Sequence, residues 1–409
     1  MRLLIVEEAL QRSAGHWPVY LGDIARGLRE MGDTVDVLAH RQADPALLQQ
    51  LNAIPWLSRS CWSDPRAQGQ LGGLRHSLRF ARELKRWLRQ QPAPYDWICS
   101  LTMRLPHLLG YTFLARSGQI PAGSRCLLLF VQGFGVYAGQ DQPVHFPLTT
   151  SNRLARWCFR RLRHAVRRGT IVLAAETEAM RLELARFSGL PVALFPHPVQ
   201  VQPLPAPAQQ ARPVTITCPG FARYEKGTDL LQQACRLVWA EPGLGNVQVV
   251  IQWPEPFALP DGRLVSPDPE LLGDVRFELI NDNLDQSAYS TLLSRTDLIV
   301  LPYRRDSYHN RLSRVAIEAA IHGIPMLPMS GTWAEDLSIL AGGTAVIADE
   351  TAEAVAAGLI VALKSIDELK RSAQAGRGRV AAFHGATTFR SLLVQDTGID
   401  PARALFPNL

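Results

Sequence analysis

Residues 214–227 read VTITCPGFARYEKG, which predicts a strand, a glycine turn and the first turn of a helix. The turn carries two cations, Arg223 and Lys226. Lys226 is one of only four lysines in a chain with 43 Lys and Arg residues. A glycine turn before a helix presents backbone N–H groups and the positive end of the helix dipole to an anion, and the cations neutralise that anion. The turn therefore predicts a ligand that carries phosphates.

Such a turn alone does not decide function, because glycine turns between strand and helix are common and exposed Arg and Lys are usually solvated. Two later segments of the same half add to it. Residues 294–303 (SRTDLIVLPY) predict a helix end, a short buried strand and a Pro-Tyr stop. Residues 318–325 (EAAIHGIP) open onto another apolar strand.

Together these residues resemble the nucleotide-sugar half of a GT-B glycosyltransferase, of the large group with a Glu-Ala-x-x-x-Gly-x-Pro signature. The resemblance implies that Arg223 and Lys226, in the turn that begins at Gly220, hold the donor diphosphate. It also implies that Glu318 bonds the donor ribose and that Ser313 caps the helix that receives the phosphates. The implied fold is α/β, with two doubly wound Rossmann-like domains facing a cleft in which the ligand binds.

Two positions depart from the pattern of that group. Many members carry a second Glu eight residues before the ribose Glu, where it contacts the donor sugar, and here that position is Asn310. The usual Gly after the capping Ser is replaced by Arg314, whose side chain could crowd the phosphates or add a contact to them. We predict that Asn310 and His309 lie near the sugar and take part in catalysis. Retaining stereochemistry is favoured by the resemblance, but the missing Glu weakens that inference.

The first half of the chain offers candidates for the acceptor side. Residues 13–20 (SAGHWPVY) follow the first predicted strand, and Gly15 and His16 resemble the Gly-His of the loop with which GT-B N-terminal domains face the cleft. Gly15 would admit the donor phosphate, and His16 would bind acceptor or donor, or merely bond backbone. Further loop candidates are Glu7 or Glu8 as a base or a solvated residue, His107, Gln132 as a positioning group, and His197 as a turn-shaping residue.

Apolar runs alternate with helical patterns along the chain, as in a parallel sheet covered on both faces. In the first half these runs cover residues 3–6, 34–38, 97–100, 127–131 and 171–174, with a helical pattern at 19–31. We predict an N-terminal acceptor domain over 1–198, a Pro-rich linker over 199–213, a C-terminal nucleotide-sugar domain over 214–385, and a tail over 386–409 that packs back on the first domain.

The composition is 47% hydrophobic with a mean hydropathy near zero, which suits two ordinary globular domains. No apolar run of about 18 residues occurs, and the apolar start is too short for a signal peptide, so we expect a cytoplasmic protein. The six cysteines lack zinc-ligand spacing. No two aspartates stand two residues apart, so the Asp-x-Asp device of metal-dependent glycosyltransferases is absent. We predict metal-independent chemistry and no cofactor apart from the donor substrate, a UDP- or GDP-sugar.

Charge is divided unevenly. Residues 1–200 carry 25 basic and 14 acidic residues, a net +11, whereas the remainder is net −5. Much of the excess lies in two stretches, 74–89 and 153–168, where Arg alternates with Trp and Phe at helical spacing. Such helices suit an anionic membrane surface on the inner face of the membrane. A surface helix that covers a sheet also shows an apolar stripe toward the core and a charged stripe toward water. Each of the two stretches therefore has this second interpretation. A nucleic-acid partner is not predicted, since no binding motif accompanies the charge.

The sequence therefore predicts a glycosyltransferase of the hexosyltransferase kind, which moves a sugar from a nucleotide diphosphate to an acceptor hydroxyl. By resemblance the acceptor is a growing bacterial polysaccharide, a lipid-linked glycan or a small metabolite. Two alternatives stay open. One is a GT-B-like protein that binds a nucleotide or glycan without transfer, which the change at Asn310 favours, and the other is a sugar-nucleotide epimerase.

Overall fold

The computed structural model describes residues 1–12, 16–67, 69–139, 142–205 and 212–395, and divides into two compact units. Unit 1 contains residues 1–136, 144–200 and the described residues from His384 onward. Unit 2 contains the described residues of 137–143 and Val201–Phe383. Residues 199 and 200, the start of the predicted linker, thus belong to unit 1.

Unit 1 is built on a sheet of seven parallel strands in the order β3-β2-β1-β4-β5-β6-β7. The strands are β1 Arg2–Val6, β2 Thr34–His40, β3 Ala53–Leu57, β4 Trp97–Met103, β5 Arg125–Phe130, β6 Ile171–Ala175 and β7 Ala193–Leu194. Every residue of β4 is buried, as expected for a strand with both faces covered.

Alternate residues of β1 enter two separate cores, which explains the continuous apolar run of this strand. Leu4 and Val6 belong to one core, and Leu3 and Ile5 belong to the core on the opposite face. The helices that cover these faces are α1 His16–Glu30, α2 Pro45–Leu51, α3 Gly69–Arg89, α4 Leu105–Arg116, α5 Thr150–Arg167, α6 Glu178–Ser188 and, at the chain end, α15 Ala386–Val394.

Helix α15 returns to the first part of the chain. It packs against α1, and a Cβ placed on Gly27 would lie 2.3 Å from the Cβ of Ala386. Arg390 on α15 donates to Asp33 through two of its nitrogens, Nε at 2.7 Å and Nη2 at 3.0 Å. The described part of the tail is therefore an element of unit 1, while residues 396–409 lie outside the described residues.

Unit 2 holds a sheet of five parallel strands in the order β12-β9-β8-β13-β14. Its strands are β8 Thr215–Cys218, β9 Gln248–Gln252, β12 Phe277–Ile280, β13 Leu298–Leu301 and β14 Met326–Pro328, with a separate hairpin of β10 Phe257–Ala258 and β11 Leu264–Val265. The helices are α7 Thr228–Ala240, α8 Pro269–Leu272, α9 Gln286–Ser294, α10 Arg305–Tyr308, α11 Arg314–His322, α12 Trp333–Leu340, α13 Ala352–Lys364 and α14 Ile366–Phe383.

The order of this second sheet reverses between β8 and β13, which lie side by side in parallel. In open α/β sheets the carboxyl ends of the strands at such a reversal point form the ligand-binding crevice. The turn after β8 and the loop after β13 therefore meet where a ligand is expected. Among the described residues, no helix has the length and apolar character needed to cross a membrane.

Candidate functional site

The turn after β8 is the first part of the site in unit 2. Gly220 has φ +83°, and a Cβ on it would lie 2.3 Å from the Nζ of Lys226. Nζ donates to the carbonyl oxygen of Pro219 at 3.3 Å, so the ammonium group lies folded over the glycine. Burial, followed by the nearby charge of Arg223, lowers the pKa of Lys226 to about 8. A bound anion would stabilise this ammonium ion.

Arg223 stands at the outer side of the same turn. Its side chain is 55% exposed, and its Nη1 lies 3.7 Å from Glu225 Oε1, a weak surface pair. A ligand can therefore recruit the guanidinium at little cost. The turn itself is held by Gln252 at the end of β9, whose Oε1 accepts from Gly220 N at 2.9 Å and whose Nε2 donates to Asp282 O at 2.9 Å.

The loop after β13 is bonded directly to this turn. Arg304 N donates to the carbonyl oxygen of Glu225 at 2.9 Å. The buried guanidinium of Arg304 donates to Asp229 Oδ2 on α7 at 2.7 Å. These contacts fix the two loops as one structure at the reversal point of the sheet.

Ser313 caps α11, as the sequence predicted for this helix. Its Oγ accepts a hydrogen bond from Ala316 N at 3.3 Å and lies 3.2 Å from the hydroxyl of the buried Tyr303. Tyr303 stacks on Tyr308 with 4.1 Å between ring centroids. The aromatic pair packs beneath the start of α11 and fixes the end of the helix from which its dipole would act on a phosphate.

Glu318 lies one turn further along α11 and is held from two sides. Tyr289 on α9 donates its hydroxyl to Glu318 Oε2 at 2.8 Å, and Arg314 Nε donates to Oε1 at 2.8 Å. The sequence left open whether Arg314 crowds the phosphates or contacts them. The structure pairs it with Glu318 across one helical turn, both side chains being about 15% exposed. Tyr289 was missed, because it lies 29 residues from its partner.

His309 and Asn310 lie between α10 and α11. His309 Nδ1 lies 3.0 Å from the carbonyl oxygen of Arg305, and its ring centroid is 4.9 Å from that of Tyr137, which also belongs to unit 2. Asn310 is buried. The structure thus places both residues on the loop that ends at the Ser313 cap.

No protein-family model and no curated protein sequence matches the chain. Solved structures do. A sucrose-phosphate synthase from Thermosynechococcus elongatus aligns over 100% of both chains with a TM-score of 0.63 at 16% identity. Anabaena Alr3699/HepE in complex with UDP-glucose covers 96% of this chain and 98% of its own, with a TM-score of 0.61 at 13% identity. An E. coli structure described as trehalose-6-phosphate bound with UDP-2-fluoro glucose covers 97% and 99%, with a TM-score of 0.63 at 15% identity.

The chain has the GT-B fold. The predicted fold class, two doubly wound Rossmann-like domains, is thereby confirmed. The donor-site residues predicted between Gly220 and Glu318 all fall in unit 2, which contains the later of the two large sheets. Their individual roles stay predictions.

The glycine loop predicted after β1 lies largely outside the described residues. Gly15 lies outside the described residues, and His16 begins α1 without a described side chain. Gln132 is exposed, two residues after the end of β5, and its positioning role stays a prediction.

The two glutamates at the end of β1 differ from one sequence interpretation. Glu7 and Glu8 are only 1% and 2% exposed, so the interpretation of solvated residues is wrong. Both residues directly follow the apolar strand β1, at the carboxyl ends of the strands, where each has a polar partner. Thr102 Oγ1 donates to Glu7 at 2.7 Å, and burial raises the pKa of Glu7 to about 7. Glu8 lies against His107, one of the sequence candidates, at 3.0 Å.

Unit 1 contains a second buried polar group, of which only His197 was a candidate in the sequence analysis. His197 was predicted to shape a turn, and the structure places its Nδ1 2.8 Å from Glu176 Oε1. Tyr20 donates its hydroxyl to the same oxygen at 2.9 Å and stacks on the His197 ring at 3.9 Å. Glu176 follows directly after β6, and that position at a strand end is the signal that could have identified it.

Proposed function

We propose that this protein is a glycosyltransferase that moves a sugar from a nucleotide diphosphate to an acceptor hydroxyl. The observation that carries the proposal is the pair of cations, Arg223 and Lys226, on a turn at the reversal point of the second sheet. One is exposed and weakly paired, and the other is partly buried with a pKa near 8. Fixed cations at such a place suit a diphosphate better than a neutral ligand.

The chemical difficulty of glycosyl transfer is the charge that develops as the diphosphate leaves the anomeric carbon. Arg223 and Lys226 would stabilise that charge, and the N-terminus of α11 with its Ser313 cap would bind a phosphate oxygen. Preorganised groups of this kind act without a metal ion, so we propose metal-independent transfer. Gly220 has no Cβ, which leaves the ammonium group of Lys226 room to lie over the turn.

Glu318 would bond the donor ribose. Its carboxylate is already oriented by Tyr289 and Arg314, which leaves remaining lone pairs for ribose hydroxyls. In this proposal Arg314 supports Glu318 rather than contacting the phosphates. His309 and Asn310 would lie beside the sugar, and we favour a retaining outcome. A uridine donor is supported by HepE and by the E. coli structure, which were solved with UDP-sugars.

The proposal is tested by titrating UDP, GDP and ADP calorimetrically, followed by product analysis with the matching nucleotide-sugar. We expect micromolar binding of one nucleotide, UDP first, and release of that nucleotide from its sugar only when an acceptor is present. Binding without turnover for any acceptor would favour a nucleotide-binding protein. Conversion of the donor sugar without an acceptor would favour an epimerase. If none of the three nucleotides binds, the donor site is wrongly assigned.

We also propose that unit 1 docks on an anionic membrane surface through α3. Leu71, Leu74 and Leu78 are 73%, 43% and 47% exposed and form one stripe of this helix. Arg75, Arg79, Arg82 and Arg86, all exposed, flank it. A helix that only covers a core turns its apolar face inward, whereas α3 also exposes an apolar stripe to water beside cations. This pattern suits a helix that lies at a membrane surface. The acceptor would then be lipid-linked or anionic.

Substituting Arg75→Glu together with Arg79→Glu should weaken co-sedimentation with phosphatidylglycerol vesicles at low salt by at least about tenfold, since each cation near such a surface contributes about 1 kcal/mol. The matched control is Arg371→Glu with Arg377→Glu, two exposed arginines of unit 2, which should sediment like the wild type. If both variants lose co-sedimentation equally, net charge and not α3 explains the binding. If the wild type does not co-sediment with the vesicles, the docking proposal is refuted.

A further inference from the structure

Four side chains with metal-binding atoms converge in unit 1, whereas the donor turn belongs to unit 2. They are Glu8, after β1; Cys61, after β3; His76, on α3; and His107, on α4. All four are buried, and their ligand atoms lie within 4.8 Å of one another. We name this group the buried cluster. The sequence argument against a zinc site considered only ligands near one another in the chain, and these four come from separate segments.

Three distances within the buried cluster are close to those between neighbouring ligands of one tetrahedral ion. With Zn–N and Zn–O bonds near 2.0 Å, two such ligands stand about 3.3 Å apart, and a sulfur near 2.3 Å stands about 3.5 Å from a nitrogen. Glu8 lies 3.0 Å from the Nε2 of His76 through one oxygen and 3.0 Å from the Nε2 of His107 through the other. The Sγ of Cys61 lies 3.6 Å from the same His107 nitrogen.

His76 gives the second, independent observation. Its side chain is only 3% exposed, yet neither ring nitrogen has a hydrogen-bond partner among the described residues. The 3.0 Å approach of Nε2 to Glu8 is therefore close without being aligned as a hydrogen bond. Leaving buried imidazole nitrogens without a partner is costly. A metal ion bound at Nε2 would give this buried imidazole a partner.

The chemistry of the four donors selects the ion. Imidazole nitrogen, thiolate sulfur and carboxylate oxygen are the three ligand types of zinc sites, whereas calcium and magnesium prefer oxygen alone. One thiolate and one carboxylate also balance the charge of a divalent ion, which matters in a buried place. We propose that the buried cluster binds one Zn²⁺ ion. This proposal is independent of the proposed glycosyl transfer.

Without a metal the same groups would form a hydrogen-bonded network around Glu8. Cys61 N donates to Glu8 Oε1, and Arg104 N donates to the Nδ1 of His107 at 3.2 Å. His107 would then carry its proton on Nε2, directed at Glu8. Zinc replaces that proton, and Nδ1 must take one up, so the contact with Arg104 N has to lengthen. His107 is therefore the ligand whose removal should weaken the site least.

A site closed by four protein ligands has a structural role rather than a catalytic one. The ion would join the end of β1 to α3, α4 and the segment after β3, a segment that Ser58 already bonds to Glu83 of α3. Glu8 would be held as a ligand and would not be available as a catalytic base.

The test is the metal content of the whole protein, purified without a metal-affinity tag or chelator and measured by inductively coupled plasma mass spectrometry. We expect about one zinc per chain. Cobalt should replace it and give the visible bands of a tetrahedral ion together with a thiolate-to-cobalt charge-transfer band. Cys61→Ala should abolish the charge-transfer band, and His76→Leu should lower zinc affinity at least a hundredfold.

Two controls separate the site from general effects. Cys158→Ala removes another buried cysteine of unit 1 and should keep the full zinc content and the cobalt spectrum. Chelator should lower the thermal midpoint of the wild type but not that of Cys61→Ala. If a cluster variant does not fold, the wild-type spectrum and metal content still decide. The proposal is overturned if reconstituted wild-type protein holds less than a tenth of an equivalent of zinc, or if Cys61→Ala shows the same cobalt spectrum.

Discussion

Lys226→Ala is expected to weaken nucleoside diphosphate binding at least tenfold, a loss of about 1.4 kcal/mol or more, measured by calorimetric titration with UDP, GDP and ADP. The physical reason is the position of the ammonium group. It lies over Gly220, partly buried, and its folding back against Pro219 O shows that it is already in place before ligand arrives. A preorganised charge loses little entropy on binding, so its removal costs most of a charge-assisted hydrogen bond.

Lys364→Ala provides the matched control, since Lys364 is also in unit 2 but is 57% exposed and paired with Glu241 at 2.6 Å. That variant should bind nucleotide like the wild type. The pH dependence gives an internal check. Because the pKa of Lys226 is lowered to about 8 and a bound diphosphate raises it, wild-type affinity should fall as pH rises through about 8. Lys226→Ala should lack that fall. If wild type and Lys226→Ala bind the nucleoside diphosphate with equal affinity, Lys226 does not bind its phosphates and the proposed role of the turn is wrong.

The sequence was sufficient for the strands that carry the donor site, and the reason is physical. A strand buried on both faces favours apolar and β-branched residues, and residues 214–218 (VTITC) and 298–301 (LIVL) consist of such residues; the structure places β8 at Thr215–Cys218 and β13 at Leu298–Leu301. The turn between β8 and α7 was predictable because Gly220 and Gly227 both have positive φ, which few other residues adopt. Local rules determine these features, so local sequence reveals them.

Contacts between distant segments were not predictable in the same way. The partners of Glu8 are Cys61, His76 and His107, between 53 and 99 residues away, and no spacing rule connects them. The pairing of Arg314 with Glu318 is different, because an i,i+4 pair of opposite charge on one helix is a recognised signal. The sequence argument considered Arg314 only as a phosphate neighbour and passed over its closer partner.

Gly227→Ala is expected to destabilise the protein by about 2–5 kcal/mol in urea unfolding. Two effects add. Gly227 has φ +64°, where a Cβ costs about 1–2 kcal/mol, and that Cβ would lie 1.9 Å from the carbonyl oxygen of Pro302. The obstacle is backbone in the loop after β13, which cannot rotate away as a flexible side chain could, so overpacking contributes about 1–3 kcal/mol more. Relief of the clash would push the donor turn and this loop apart.

Gly243→Ala shows the first effect, the backbone cost, by itself. Gly243 also has positive φ, +84°, and lies in the same unit, but a Cβ there meets nothing within 4 Å. It should lose only the backbone contribution, about 1–2 kcal/mol, and should bind nucleotide normally. Gly227→Ala should lose more stability and also nucleotide affinity, because the turn and the loop that together form the donor site would no longer fit. If the two variants unfold at the same urea concentration and bind alike, the close approach of Gly227 to Pro302 does not hold the site together.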